Sequence, residues 1–137
     1  MKLLDKNELT GRENMVMKCV WDHEGDISAV EIQRALKEQF GIDFERSTIT
    51  TFILHLREKG YLDSYKKGQI YYYRALVEEE GYVKKQTKKF ADFWFKGSVS
   101  ALLGALTGDD SEELSEEKMD RIRKIIDDMD WRYRIGE

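Results

Sequence analysis

The sequence predicts a mainly α fold with one small β-wing, and three observations carry that prediction. The 137 residues include no proline and are rich in Lys and Glu, a composition suited to helices. Two capping boxes, Thr10-Gly11-Arg12-Glu13 and Ser28-Ala29-Val30-Glu31, each precede apolar residues at helical spacing. Two apolar-alternating runs, Leu62 to Tyr65 and Ile70 to Tyr73, flank a Lys66-Lys67-Gly68 turn, the pattern of a hairpin.

Taken in order, the first helix follows Thr10 and sets Val16, Met17, Val20 and Trp21 on one face. Asp22 to Asp26, with Gly25 inside, breaks it. The second follows Ser28, with Ile32, Ala35, Leu36 and Phe40 as its buried face. Gly41 closes that helix, because glycine accepts the left-handed conformation at little cost. Ile42-Asp43-Phe44 is a short connection anchored by Phe44. The third helix runs from about Arg46 to Lys59 and places Ile49, Phe52, Ile53 and Leu56 on one face. Thr48, Thr50, Thr51, His55 and Arg57 therefore fall on its other sides. Three short helices followed by a hairpin make a winged helix-turn-helix over residues 1–76.

Residues 77–137 read as helical without strand signals. Tyr82, Val83, Phe90, Phe93, Trp94, Val99, Leu102, Leu103 and Leu106 carry more apolar surface than one isolated helix can hide. Leu106 to Leu114 reads as a loop. Ser115 then caps a last helix, with Glu116 and Glu117 in the first turn, where the helix dipole favours anions. Met119, Ile122, Ile125, Ile126 and Met129 recur along it at helical spacing.

Charge is unevenly placed. The net charge is −4, yet residues 1–76 hold twelve basic and twelve acidic side chains, so the deficit lies in residues 77–137. Between Arg46 and Arg74 there are six basic residues against Glu58 and Asp63. A helix of small polar residues beside a basic hairpin suits a DNA groove. Thr48, Thr50, Thr51 and His55 are the candidate contacts to phosphates and base edges, with Arg46 and Ser47 at the helix start, where free amides attract phosphate. Lys66, Lys67 and Gln69 would add contacts from the wing. A solvated helix face and solvated hairpin lysines are the alternatives. Tyr71, Tyr72 and Tyr73 are read as packing residues rather than a base-stacking platform, and Lys84, Lys85, Lys88 and Lys89 as a solvated stripe.

Other chemistries lack residues. His23 and His55 are the only histidines, and Cys19, the only cysteine, falls in a core pattern. Neither a metal site, a cofactor nor an enzyme active site is expected from that set. The longest uncharged run, Gly97 to Gly108, is far short of the roughly 20 apolar residues of a membrane span. Met1 to Lys6 lacks the apolar core of a signal peptide. A single cysteine fits a reducing cytoplasm.

Leu9-Thr10 with Glu13 and Met17, Trp21, Val30-Glu31-Ile32 and Thr48-Ile49-x-Thr51 stand in a recognisable order. Leu56-x-x-Lys59-Gly60-Tyr61-Leu62, the strand from Gly68 to Tyr73, Phe95-x-Gly97-Ser98 and Leu114-Ser115-Glu116-Glu117 continue it. In these motifs and their spacing the chain resembles the penicillinase repressor (BlaI/MecI) family of winged-helix transcription repressors. The resemblance implies a homodimer on a palindromic operator, with Thr48 and Thr51 on the recognition helix and Arg46, Ser47, Thr50 and His55 beside them. It also implies that the C-terminal helices form the dimer contact, for which Phe90, Trp94, Phe95, Val99, Leu102, Leu103, Leu106, Met119, Ile122 and Ile126 are the candidates. The family's antibiotic-responsive branch is cleaved at an Asn-Phe bond, where this chain has Ala105-Leu106 and no Asn-Phe pair anywhere. The copper-responsive branch carries a cysteine-rich tail motif, which Trp131-Arg132-Tyr133-Arg134 does not supply.

The expectation is a cytoplasmic, dimeric repressor of transcription that binds operator DNA and is released by an upstream signal. Two other readings stand beside it: a winged-helix docking module without DNA, and a regulator that senses a small molecule through Phe90, Trp94 and Phe95.

Overall fold

The computed structural model describes residues 7–108 and 116–124. Its elements run α1 (Gly11–Asp22), β1 (Ile27–Ser28), α2 (Ala29–Phe40), α3 (Arg46–Glu58), β2 (Leu62–Lys67), β3 (Ile70–Ala75), α4 (Glu79–Phe95) and α5 (Val99–Thr107). Residues 116–124 are also helical. The chain forms two compact units, Met1–Glu79 and Glu80–Glu137.

In the first unit both capping boxes are complete. The Thr10 hydroxyl accepts from the Glu13 amide at 3.2 Å while the Glu13 carboxylate accepts from the Thr10 amide at 2.9 Å. Ser28 and Glu31 repeat the exchange at 3.3 and 3.1 Å. Each box satisfies amides that the start of a helix leaves without partners. α2 ends on Gly41 at φ +70°, and the Gly41 amide donates back to the Lys37 carbonyl at 2.9 Å.

The core is where the faces of α1, α2 and α3 meet. Val16, Met17, Ile27, Ile32, Leu36, Ile49 and Leu56 are fully buried, each contributing about 1.5–3 kcal/mol by leaving water. Phe44 is buried too and meets the edge of Phe52 at 5.3 Å between ring centroids, which anchors the link into α3. Trp21 is half-buried, and its indole donates to the Val77 carbonyl at 2.9 Å. This is a mainly α fold with a small β-wing, the winged helix-turn-helix read from the sequence.

The structure corrects several details. The sheet has three antiparallel strands in the order β1-β3-β2, not two. β1 supplies only Ile27 and Ser28, paired with Tyr73 and Tyr72, and two residues are too few to show an alternation. The hairpin turn is Gly68-Gln69, closed by the Lys67–Ile70 pair, so Lys66 and Lys67 lie in β2 rather than in the turn. Gly68 has φ +65° and Gln69 is not left-handed, the sign pattern of a type II′ turn that continues the strand twist. Phe40 is 37% exposed. The i, i+4 row from Ile32 through Leu36 drifts about 40° per step around a helix, which carries Phe40 off the buried face. The hydroxyl of Tyr65 also ties the hairpin to the loop before β1, donating to Asp26 at 2.6 Å.

In the second unit, Tyr82 and Ala91 are the buried residues of α4. Lys96 and Gly97 both adopt left-handed backbone, and Ser98 caps α5 by accepting from the Ala101 amide at 3.1 Å. A Cβ on Gly97 would sit 3.2 Å from an Asp92 carboxylate oxygen. α5 continues through Leu106 and Thr107, which the sequence reading put in a loop. The Thr107 hydroxyl closes the last turn on the Leu103 carbonyl at 2.9 Å before Gly108 ends it at φ +73°. Leu114, Ser115, Ile125, Ile126 and Met129 lie outside the described residues.

Candidate nucleic-acid interface

α3 begins at Arg46 behind Glu45, which occupies the cap position without a side-chain hydrogen bond, and its first turn holds no acidic residue. Its first amides thus have no side-chain cap, and the nearest acid is Glu45 at the cap position itself. Ile49, Ile53 and Leu56 clamp the helix to the core. At 100° per residue the opposite side runs through Ser47, Thr50, Thr51, Leu54 and Glu58, all exposed. Arg46 and Arg57 line one margin of this face, both exposed. Thr48 and His55 line the other, with Thr48 half-buried and the His55 side chain 51% exposed.

The threonine hydroxyls are already engaged. Thr50 donates to the Arg46 carbonyl at 3.0 Å and Thr51 to the Ser47 carbonyl at 3.1 Å. Each oxygen keeps lone pairs for an incoming donor, and each side chain adds a methyl group. A groove contact therefore finds acceptors and methyls here.

Arg46 is held by Gln33 of α2. The Gln33 amide oxygen accepts from Arg46 Nε at 3.4 Å and Nη2 at 3.2 Å, while its NH2 donates to the Phe44 carbonyl at 2.7 Å. One side chain thereby sets the turn between α2 and α3. The sequence reading missed Gln33. Its signal was position alone, one residue after the buried Ile32 and facing the α2–α3 turn.

At the other end of α3 lies a buried charge pair. Glu13 is only 2% exposed, and Lys59 Nζ donates to its carboxylate at 2.6 Å and to the Glu8 carbonyl at 3.0 Å. Burial pushes the Glu13 carboxyl up, but the Lys59 ammonium and the Thr10 amide outweigh it and hold the group below its ordinary value. His55 Nδ1 stands 3.8 Å from the second Glu13 oxygen. His55 is thus oriented toward α1, on the flank away from Arg46 and Thr50.

The wing has its own brace. Tyr65 and Tyr72 stack at 5.9 Å, and the Arg74 guanidinium lies 5.8 Å over the Tyr65 ring while pairing with Asp63 at 2.7 Å. That Arg74 contact holds the Asp63 carboxyl below its usual range. Tyr71 is exposed, with Lys66 Nζ 5.7 Å over its ring, whereas Tyr72 and Tyr73 are half-buried. Lys66, Lys67 and Gln69 are all exposed. Consecutive strand residues point to opposite faces, so Lys66 and Lys67 leave the strand on opposite sides, and both reach a duplex only where it straddles the tip of the wing.

In the second unit Phe90, Trp94, Val99 and Leu106 are exposed, Trp94 and Val99 at 64%, while Phe95, Leu102, Leu103, Met119 and Ile122 are half-buried. Ile126 lies outside the described residues. Among the described residues no group of three or more His, Cys, Asp or Glu could hold a metal, and no helix is long and apolar enough to cross a membrane.

The family described as Penicillinase repressor matches residues 9–128. The chain belongs to this family. The resemblance read from the motifs is thus borne out over most of the sequence. The methicillin resistance regulatory protein MecI of Mammaliicoccus sciuri is 29% identical over 124 residues, covering 87% of this chain and 93% of MecI. MecI of Staphylococcus aureus strain N315 is 31% identical over 119 residues, with the same coverage of 87% and 93%. The penicillinase repressor of Bacillus licheniformis is 24% identical over 122 residues, 88% of this chain and 91% of that one. Among solved structures, the DNA binding domain of the repressor BlaI matches with a TM-score of 0.47 and 29% identity, over 58% of this chain and 90% of that one. Penicillinase repressor family members of this kind are named as regulators, not enzymes.

Proposed function

We propose that this chain is a repressor of transcription that binds a palindromic operator as a homodimer, with α3 in the major groove and the wing beside it. The observation that carries the reading is the outward face of α3. Its first turn has no side-chain cap and no acid within it, one margin is basic, and apart from Leu54 and Glu58 it is small and polar, while the opposite side is locked in the core. Arg46, Ser47, Thr48, Thr50 and Thr51 make the groove contacts. His55 contributes from the flank, and Lys66, Lys67 and Gln69 act on the backbone from the wing. The exposed apolar residues of α4 and α5, with Phe90 and Trp94 among them, meet the same residues of a second copy, since patches of this kind are rare on monomers. Two α3 helices would then enter major grooves about one helical turn apart, and occupancy would block polymerase.

Release takes a route other than cleavage at an Asn-Phe bond, because the chain has none, and Ala105-Leu106 lies within α5. The test is a gel shift on operator fragments selected with the wild-type protein. Thr51→Ala combined with His55→Ala should lower specific affinity at least tenfold while sedimentation still shows the dimer. Unchanged specific affinity would sink the assignment of α3. Binding should also weaken steeply with salt through counterion release, whereas a protein-docking surface should weaken far less.

A further inference from the structure

Leu54 is the one large apolar side chain on the outward face of α3, 49% exposed between neighbours that are buried or polar. It plays no part in the core, which Ile53 and Leu56 on either side already fill. Thr50 and Thr51 stand one turn before it and Glu58 one turn after. It lies about 6 Å along the axis beyond Thr50, a further one to two base pairs into a groove that α3 follows.

The chemistry of its surroundings selects a base. The edge of guanine in the major groove presents only acceptors, N7 and O6, and is read by donors. Around Leu54 the nearest hydroxyl hydrogens, on Thr50 and Thr51, are committed to the carbonyls of Arg46 and Ser47. On the Thr51 side of Leu54 what remains is acceptor oxygen, methyl and isobutyl, while the donors of Arg57, three positions on, lie toward the margin of the face. Among the four bases only thymine carries an apolar group in the major groove, its C5-methyl.

We infer that Leu54 is a specificity-determining residue, which packs its isobutyl group on the C5-methyl of a thymine in each operator half-site. This rests on the DNA-binding reading above. It adds a base and an atom to it.

The test exploits deoxyuridine, which pairs as thymidine does and lacks only the methyl. Sites would be selected from a random duplex pool with the wild-type dimer. Each recurrent thymine would then be replaced in turn by deoxyuridine, and affinity read by fluorescence anisotropy at one fixed salt. At one thymine per half-site the wild type should lose about fourfold per methyl, the worth of one buried carbon. Leu54→Ala, at an exposed helical position where alanine is a good helix former, should bind the thymine and deoxyuridine duplexes equally. Tolerance of deoxyuridine at every position by the wild type overturns the inference, as do selected sites with no recurrent thymine. The same methyl dependence persisting in Leu54→Ala overturns it too. If the wild type selects no sequence at all, the repressor reading falls and this inference falls with it. Selective binding that ignores the methyl removes this inference alone.

Discussion

Lys59→Met tests how α3 is held against the start of α1. The substitution keeps most of the side-chain length and deletes the ammonium that donates to Glu13 at 2.6 Å and to the Glu8 carbonyl at 3.0 Å. The Glu13 carboxylate, 2% exposed, stays behind with only the Thr10 contacts and the distant His55. Breaking a buried pair from one side costs about 3–5 kcal/mol. Lys59 keeps 20% side-chain exposure and Thr10 still donates, so about 3 kcal/mol is expected at pH 7. That is on the order of 12 °C or more in the melting point of a domain this size. The pH dependence gives the signature. Glu13 titrates below its ordinary value in the fold, so its wild-type contribution is full above the unfolded carboxylate range and is lost as pH falls through the folded value. The penalty in the variant exists only while Glu13 is ionised. Urea denaturation followed by circular dichroism should therefore show the gap between the two proteins narrowing from pH 7 to about pH 3.5. In a Glu13→Gln background, Lys59→Met should cost under about 1 kcal/mol. A gap below about 0.5 kcal/mol at pH 7, or one that does not change with pH, would refute the role given to this pair.

Three further outcomes are expected. Gly41→Ala should cost about 1 kcal/mol in the same urea assay, because a Cβ there meets nothing within 4 Å and only the left-handed backbone at φ +70° resists it. The Cys19 thiol is pushed up to about 12 by burial and by the nearby Asp22 charge, and should resist iodoacetamide at pH 8 in the fold but react at once in urea. Leu102→Asp should halve the sedimenting mass without altering the circular dichroism of the fold, and a full-size dimer would exclude α5 from the contact.

What the residues disclosed beforehand was mostly local. The exchange between Thr10 and Glu13 spans three positions, so both capping boxes could be read from spacing, as could the left-handed close of α2 at Gly41. The core faces of α1, α2 and α3 followed from periodicity, with Phe40 the exception. What escaped depends on distance along the chain. β1 exists because Ile27 and Ser28 meet Tyr73 and Tyr72, and nothing in a two-residue stretch announces that pairing. Glu13 reads as a cap, but its second role needs Lys59, which is forty-six positions away. The same limit applied to the candidate interface. Threonines on an exposed helix face were visible in the pattern, whereas the commitment of their hydroxyls, the Gln33 brace and the turn of His55 toward Glu13 arise only once the helices have packed.

The strand order β1-β3-β2 carries a consequence for solution behaviour. With β3 in the middle, one side of β2 presents unpaired amides and carbonyls, an open template onto which another extended chain could add. Lys66 and Lys67 sit in the outer half of that strand. Charged side chains there make such an addition repulsive, so the lysines proposed to meet phosphate also act as gatekeepers against self-association. Neutralising both to study DNA contact would remove that protection as well. Loss of binding in a Lys66→Gln, Lys67→Gln variant should therefore be judged beside its light scattering.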